Sequence, residues 1–241
     1  PYTTLFRSEK GAKSVIAVAD VGDYDLIDED MATEESGQTG FVYLRKIIED
    51  CQARGIDVLL VHLPYPANEQ QQMDANAVAY IAEDYGLNYI DFVSMDQVAD
   101  YATDCFDAHE HLNPSGARKV SDYLGRYITE HYDVDDHRGD AAYTAWADDA
   151  AAYREKKRTD FERQSDLACA LMLLHDDDFA CTVTIGAGNA LFENEKLMTL
   201  MQNIAREHVF EEDLFAKWSN SLFPLERLDE AAQSGQSYAA A

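Results

Sequence analysis

Basic residues are scarce in this chain: 19 Lys and Arg stand against 46 Asp and Glu, a formal net charge of −27 over 241 residues. A nucleic-acid binder needs clustered cations to displace counterions from phosphates, so the balance argues against that class and against electrostatic docking on an anionic membrane. Long apolar runs are missing as well; none approaches the roughly 20 residues that span a bilayer. Cysteine is sparse. Cys51, Cys105, Cys169 and Cys181 form no CxxC pair and no dense disulfide framework. Single Cys51–Cys105 or Cys169–Cys181 bridges stay open, and the redox compartment with them. The sequence does not open on Met, and no signal peptide is visible in it, which carries little information for that reason. The opening octet PYTTLFRS resembles the translation of a sequencing-library adapter and is set aside from the fold. The expectation is a fragment whose natural N-terminus lies upstream, and the tail GQSYAAA, with no capping logic, reads as a second cut.

What remains is globular in composition, 46% hydrophobic and 27% charged, enough for one core of ordinary size and a second small unit. SVIAVA (14–19) is a short strand candidate, followed by an acidic, aperiodic linker to residue 40. Order then sets in. FVYLRKIIEDCQARG (41–55) carries apolar residues at Leu44, Ile47, Ile48 and Cys51, the spacing of a helix, and ends at Gly55 as a C-cap would. Cys51 on that stripe reads as a small buried hydrophobe. DVLLVHL (57–63), closed by Pro64, fits a buried parallel strand. Residues 68–85 return to helical spacing through Met73, Ala77, Tyr80 and Ile81 and stop at Gly86, and NYIDFV (88–93) is the next strand. After an irregular stretch, 94–112, Asn113 as N-cap and Pro114 at N1 open a helix lined by Ala117, Val120, Leu124 and Ile128. Alternating helices and strands predict an α/β layer fold with a parallel sheet.

Beyond Tyr132 the polar run DVDDHRGD reads as a hinge containing His137. One or two helices are predicted over 140–175, a strand at 181–185, a GAGN turn, and helices over 192–208 and around 224–233. Trp146, Trp218, Tyr143 and Tyr153 read as packing anchors rather than a carbohydrate platform, and His62 as a satisfied core histidine.

Loops leaving the carboxyl ends of parallel strands share one rim, and sites are built there. Two such loops are visible: Pro64-Tyr65-Pro66, and 94–112 with Asp104, Asp107, His109 and His111. A His just before a helix, near a carboxylate of the same loop, is well placed as a general base: the carboxylate fixes one imidazole nitrogen as donor while the other faces the site. The helix N-terminus disfavours an imidazolium and the Asp favours one, so the two effects oppose. His109 and His111 with Asp104 and Asp107 also form an H-x-H cluster of metal-ligand types. No further ligands complete a zinc set, so no metal is assigned.

The run DAHEHLNPSGARKVSDYLGRYI resembles the last conserved block of the SGNH/GDSL hydrolases, and the stretch from FVYLRKII through LLVHLPYP is similar to their bacterial DltD-related branch. The resemblance covers about residues 41–138, including DHRGDAAYTAW at its end. It implies a partial three-layer, flavodoxin-like sandwich over 41–138, with 1–40 as adapter residues and linker, and 139–241 as a mostly helical extension or partial accessory domain. It implies Asp107 as triad acid and His111 as base, with Leu112, Asn113 and Gly116 as the structural part of the block and Tyr65 and Asn113 at the substrate edge. The Asp107–His111 spacing is one residue longer than the commonest form, so Asp104, and the pairing of Asp107 with His109, stay open. The nucleophilic Ser and the oxyanion-hole Gly and Asn find no match. Ser14 stands at the wrong end of its strand candidate, and Ser36 lacks a strand before it. The nucleophile is therefore expected outside this chain, and the fragment itself to be inactive.

The implied parent is a serine esterase or O-acyltransferase acting on an acyl ester of a cell-envelope polymer or glycan, without cofactor or metal. It would be extracytoplasmic, anchored or exported by a missing N-terminal segment. The alternative is a non-catalytic envelope assembly or binding protein on the same fold. A Gly-x-Ser turn after an upstream strand separates the two.

Overall fold

The computed structural model describes residues 14–19, 21, 25–34, 38–95, 98–107 and 111–174, and the backbone of two short strands further on. In chain order the elements are α1 (Thr39–Ala53), β1 (Leu59–His62), α2 (Glu69–Tyr85), β2 (Asn88–Asp91), α3 (Pro114–His131), a 3-10 turn at Ala141–Tyr143, α4 (Thr144–Glu162), α5 (Leu167–Leu173), β3 (Val183–Ile185) and β4 (Tyr238–Ala240). The chain is thus an α/β protein.

β1 and β2 are neighbours in a parallel pair joined through α2, with Leu59 opposite Asn88 and His62 opposite Asp91. Alternation along β1 sends its side chains to two cores. Leu60 packs with Phe41 and Ile48 of α1 and Ala77 and Ile81 of α2. Leu59 and Val61 pack on the other side, with Ile90, Phe92 and, from α3, Val120, Tyr123, Leu124 and Tyr127. Ile48, Ile81 and Phe92 are at most 1% exposed, and burial of each such side chain contributes about 1.5–3 kcal/mol.

The helix ends follow the local chemistry. Asn68 accepts from the Gln71 amide while the Gln71 side chain accepts from the Asn68 amide, a complete capping box. Gly55 and Gly86 terminate α1 and α2 at φ +69° and +63°, a region that L side chains rarely adopt. Two predicted apolar faces need correction. Ile47 is 59% exposed and Tyr80 45% exposed, because the buried stripes run through Phe41 and Ile48 and through Ala77 and Ile81, leaving both residues on the flanks. Cys51 is half-buried rather than buried.

The predicted strand at 14–19 is not formed. Its one sheet-like contact is an isolated antiparallel bridge between Ala19 and Cys105. Its backbone groups are met by the loop before Pro114 rather than by a ladder: the Ala19 amide donates to the Cys105 carbonyl at 2.8 Å and the Ala17 carbonyl accepts from the Asn113 side chain at 3.2 Å. The acidic segment 25–34 docks on α2 through hydrogen bonds of Thr33 to Asp74, of Asn76 to the Asp28 and Met31 carbonyls, and of one buried glutamine. Gln72 accepts from the Ile27 amide and donates to the carbonyls of Asp25 and Ala67.

Past α3, Arg138 donates to both oxygens of Asp136, and these hydrogen bonds hold that carboxyl at about 2. His137 stacks on Tyr143, with ring centroids 4.2 Å apart. The helical reading of 140–175 resolves into α4 and α5, and α5 packs on α3 and buries Leu171, Met172 and Leu173. Trp146 and Tyr143 are not packing anchors. They are 60% and 40% exposed, at the start of a helix that among its side chains buries only Lys157. The Tyr153 ring is covered by the Lys157 ammonium at 5.1 Å. β3 falls inside the predicted strand 181–185 and pairs antiparallel with β4. The predicted GAGN turn, the helices over 192–208 and 224–233, and Trp218 lie outside the described residues, as does the Cys181 thiol. Cys51 and Cys105 are free thiols, and the Cys169 thiol donates to the Ile16 carbonyl at 3.9 Å. Burial, chiefly, pushes Cys105 up to about 12, so at neutral pH it is an inert thiol. Among the described residues no helix is long and apolar enough to cross a membrane.

Candidate functional site at the carboxyl rim of the parallel strands

The loop between β2 and α3 closes on itself as a tight ribbon. Cys105 bridges Leu112 in antiparallel fashion, the Phe106 amide donates to the His111 carbonyl at 3.0 Å, and the Asn113 amide donates to the Asp104 carbonyl at 2.8 Å. Asp107 and His111 therefore face each other at the end of this ribbon. The Asp107 carboxylate accepts from the His111 backbone amide at 3.3 Å and lies 2.9 Å from His111 Nδ1. Phe106 stacks on the imidazole with centroids 5.2 Å apart and planes 18° from parallel. With Nδ1 donating to the carboxylate, a neutral ring presents Nε2 as its acceptor, the form a general base requires. The His111 side chain is 62% exposed and that of Asp107 34%.

The other sequence candidates are placed differently. Asp104 is fully buried; its Oδ2 takes the Lys119 ammonium at 2.7 Å and the Asp100 amide at 2.8 Å. It tethers the loop to α3, and its ion pair is with Lys119 rather than an imidazole. Asn113, expected at the substrate edge, is fully buried. Its Oδ1 caps α3 at the amides of Ser115 and Gly116, and its Nδ2 donates to Thr103, Cys105 and Ala17. Every polar atom of that carboxamide is spent on shaping the loop, which leaves nothing for a substrate. Gly116 lets α3 approach: a Cβ there would lie 2.6 Å from the Asp104 carbonyl. His109 lies outside the described residues.

The two rim loops do meet, since the Tyr101 hydroxyl donates to the Tyr65 carbonyl at 3.4 Å. Tyr65 leads to a second carboxylate–imidazole pair that sequence reasoning missed. His62 and Asp91, the last residues of β1 and β2, are opposite each other in register, with Nδ1 2.8 Å from Asp91 Oδ1. His62 Nε2 lies 3.1 Å from the Tyr65 hydroxyl. Both partners are only 18% exposed. The signal in the sequence was faint: each strand ends in a polar residue, but only the register makes them neighbours. Among the described residues no three His, Cys, Asp or Glu side chains gather in a way that would hold a metal ion.

No protein-family model, no curated protein and no solved structure matches the chain.

Proposed function

We propose that this chain carries the acid–base half of an SGNH-type serine hydrolase or O-acyltransferase, on part of a three-layer α/β sandwich, with the nucleophilic Ser supplied by sequence outside it. The observation that carries the reading is the 2.9 Å contact between Asp107 and His111 Nδ1, in the loop that runs from the end of β2 into α3. A serine hydroxyl is a weak nucleophile until a positioned base takes its proton. His111 Nε2 takes that proton as the Ser oxygen attacks the acyl carbonyl, then returns it to the leaving alcohol. Asp107 holds the ring in the productive tautomer and stabilises the transient imidazolium. Such a base contributes about 10²–10⁴-fold in rate. The packing of helices on both sides of β1 and β2 also supports the layered fold. The substrate class, an acyl ester of a cell-envelope polymer or glycan, rests on the resemblance of the Asp107–Ile128 block alone.

The test is labelling by a serine-directed fluorophosphonate in the protein expressed from its complete reading frame. Wild type and His109→Ala are expected to label, and His111→Ala to lose labelling by at least tenfold. Equal labelling of all three sinks the assignment.

A further inference from the structure

We propose that Phe106 is a positioning residue for His111, its ring setting the plane of the imidazole and favouring the cation formed when Nε2 takes the serine proton. The proposal rests on the acid–base reading of Asp107 and His111 and adds to it a restraint of a different kind. Asp107 reaches His111 at two points, the backbone amide at 3.3 Å and Nδ1 at 2.9 Å. The first holds the chain, and the second holds one corner of the ring. A single hydrogen bond at Nδ1 lets the imidazole turn about the line from Nδ1 to Oδ2. Nε2 lies off that line, so it swings as the ring turns. With 62% of the His111 side chain exposed, the protein interior does little to stop the motion.

Phe106 supplies what the carboxylate does not. Its ring lies against the imidazole face with centroids 5.2 Å apart and planes 18° from parallel, the offset stack that aromatic pairs prefer. The backbone fixes this pairing, because the Phe106 amide donates to the His111 carbonyl at 3.0 Å and so sets the two residues opposite each other. Phe106 and Asp107 are consecutive in the chain and divide the task. One bounds the face of the imidazole, the other its Nδ1 edge. The stack also discriminates by charge. An aromatic face is the negative side of a quadrupole and attracts a cation, so it stabilises the imidazolium more than the neutral ring. Asp107 acts in the same direction, which makes the two neighbours additive at the step where His111 holds the proton.

The test is the rate of labelling by a serine-directed fluorophosphonate in the protein expressed from its complete reading frame, compared among wild type, Phe106→Leu, Phe106→Tyr and His111→Ala. Phe106→Leu, which keeps apolar bulk and loses the ring, is expected to label about two- to tenfold more slowly, the factor that an aromatic pair is worth. Phe106→Tyr, which keeps the ring, is expected to label at the wild-type rate. Long-range ¹H–¹⁵N spectra of Phe106→Leu should still place the His111 proton on Nδ1, because Asp107 holds that corner; a collapsed loop would not leave it there. Wild-type labelling by Phe106→Leu beside a silent His111→Ala overturns the role of Phe106 and leaves the Asp107–His111 pair standing. Slow labelling by both Phe106 variants, or loss of the Nδ1 proton in Phe106→Leu, shows a merely structural role and overturns it as well. Equal labelling of wild type and His111→Ala overturns the acid–base reading and this proposal with it.

Discussion

Replacing Asn113 by Ala removes the acceptor at the start of α3 and, with it, the donor that satisfies the buried Thr103 carbonyl at 2.7 Å. Losing an N-cap costs about 1 kcal/mol, and orphaning a buried carbonyl about 1–3 kcal/mol more. The expected outcome for Asn113→Ala is a urea midpoint lowered by the equivalent of about 2–4 kcal/mol at unchanged slope. Asn113→Asp, which keeps the cap and loses the donor, should fall between wild type and Ala. If both variants unfold with wild type, the carboxamide does not hold the loop. Sequence revealed half of this role: the capping pattern Asn-Pro is local and readable, whereas Nδ2 reaches the carbonyl of Ala17, 96 residues away in sequence. The substrate-edge reading failed at that point, because burial of a side chain depends on partners that spacing does not name.

Elements were legible where their signals were local. Asn68 and Gly86 bound α2, and Asn113 and Pro114 open α3, at the positions the sequence gives. The segment 14–19 had strand-like residues but no ladder to join, and a lone apolar run does not say whether a neighbour will pair with it. The register of β1 against β2 was also hidden, so the His62–Asp91 pair was read as a single core histidine. At this scale the tie between the 98–107 loop and α3 is the Asp104–Lys119 pair, with side chains 0% and 16% exposed. Removing one partner of such a pair leaves an uncompensated charge and costs about 3–5 kcal/mol. Lys119→Met is expected to lose that much stability in thermal or urea unfolding, and Lys119→Met combined with Asp104→Leu to recover part of it. Additive losses in the double variant would show that the two side chains do not act as a unit.

Across the whole molecule, the dominant property is the net charge of −27. Like charges on one compact body repel, and unfolding spreads them apart. Raising ionic strength from ~0.01 M to ~0.15 M shortens the screening length from about 30 Å to about 8 Å, so NaCl should raise the Tm of this chain over that range. A Tm that stays flat or falls would mean that the pairs Arg45–Asp84, Lys119–Asp104 and their like outweigh the repulsion. Charge and composition set these bulk properties directly from sequence. They carry no information about chemistry, which rests on a few side chains at the rim.

Among those side chains, the account depends on His111 being held by Asp107 with its proton on Nδ1. Long-range ¹H–¹⁵N NMR of the histidine-labelled chain, at a pH where the ring is neutral, reads that proton directly. Wild type is expected to carry it on Nδ1, and Asp107→Ala to shift toward the Nε2 form as the acceptor is lost. A wild-type ring protonated on Nε2, or a tautomer indifferent to Asp107→Ala, would contradict the account.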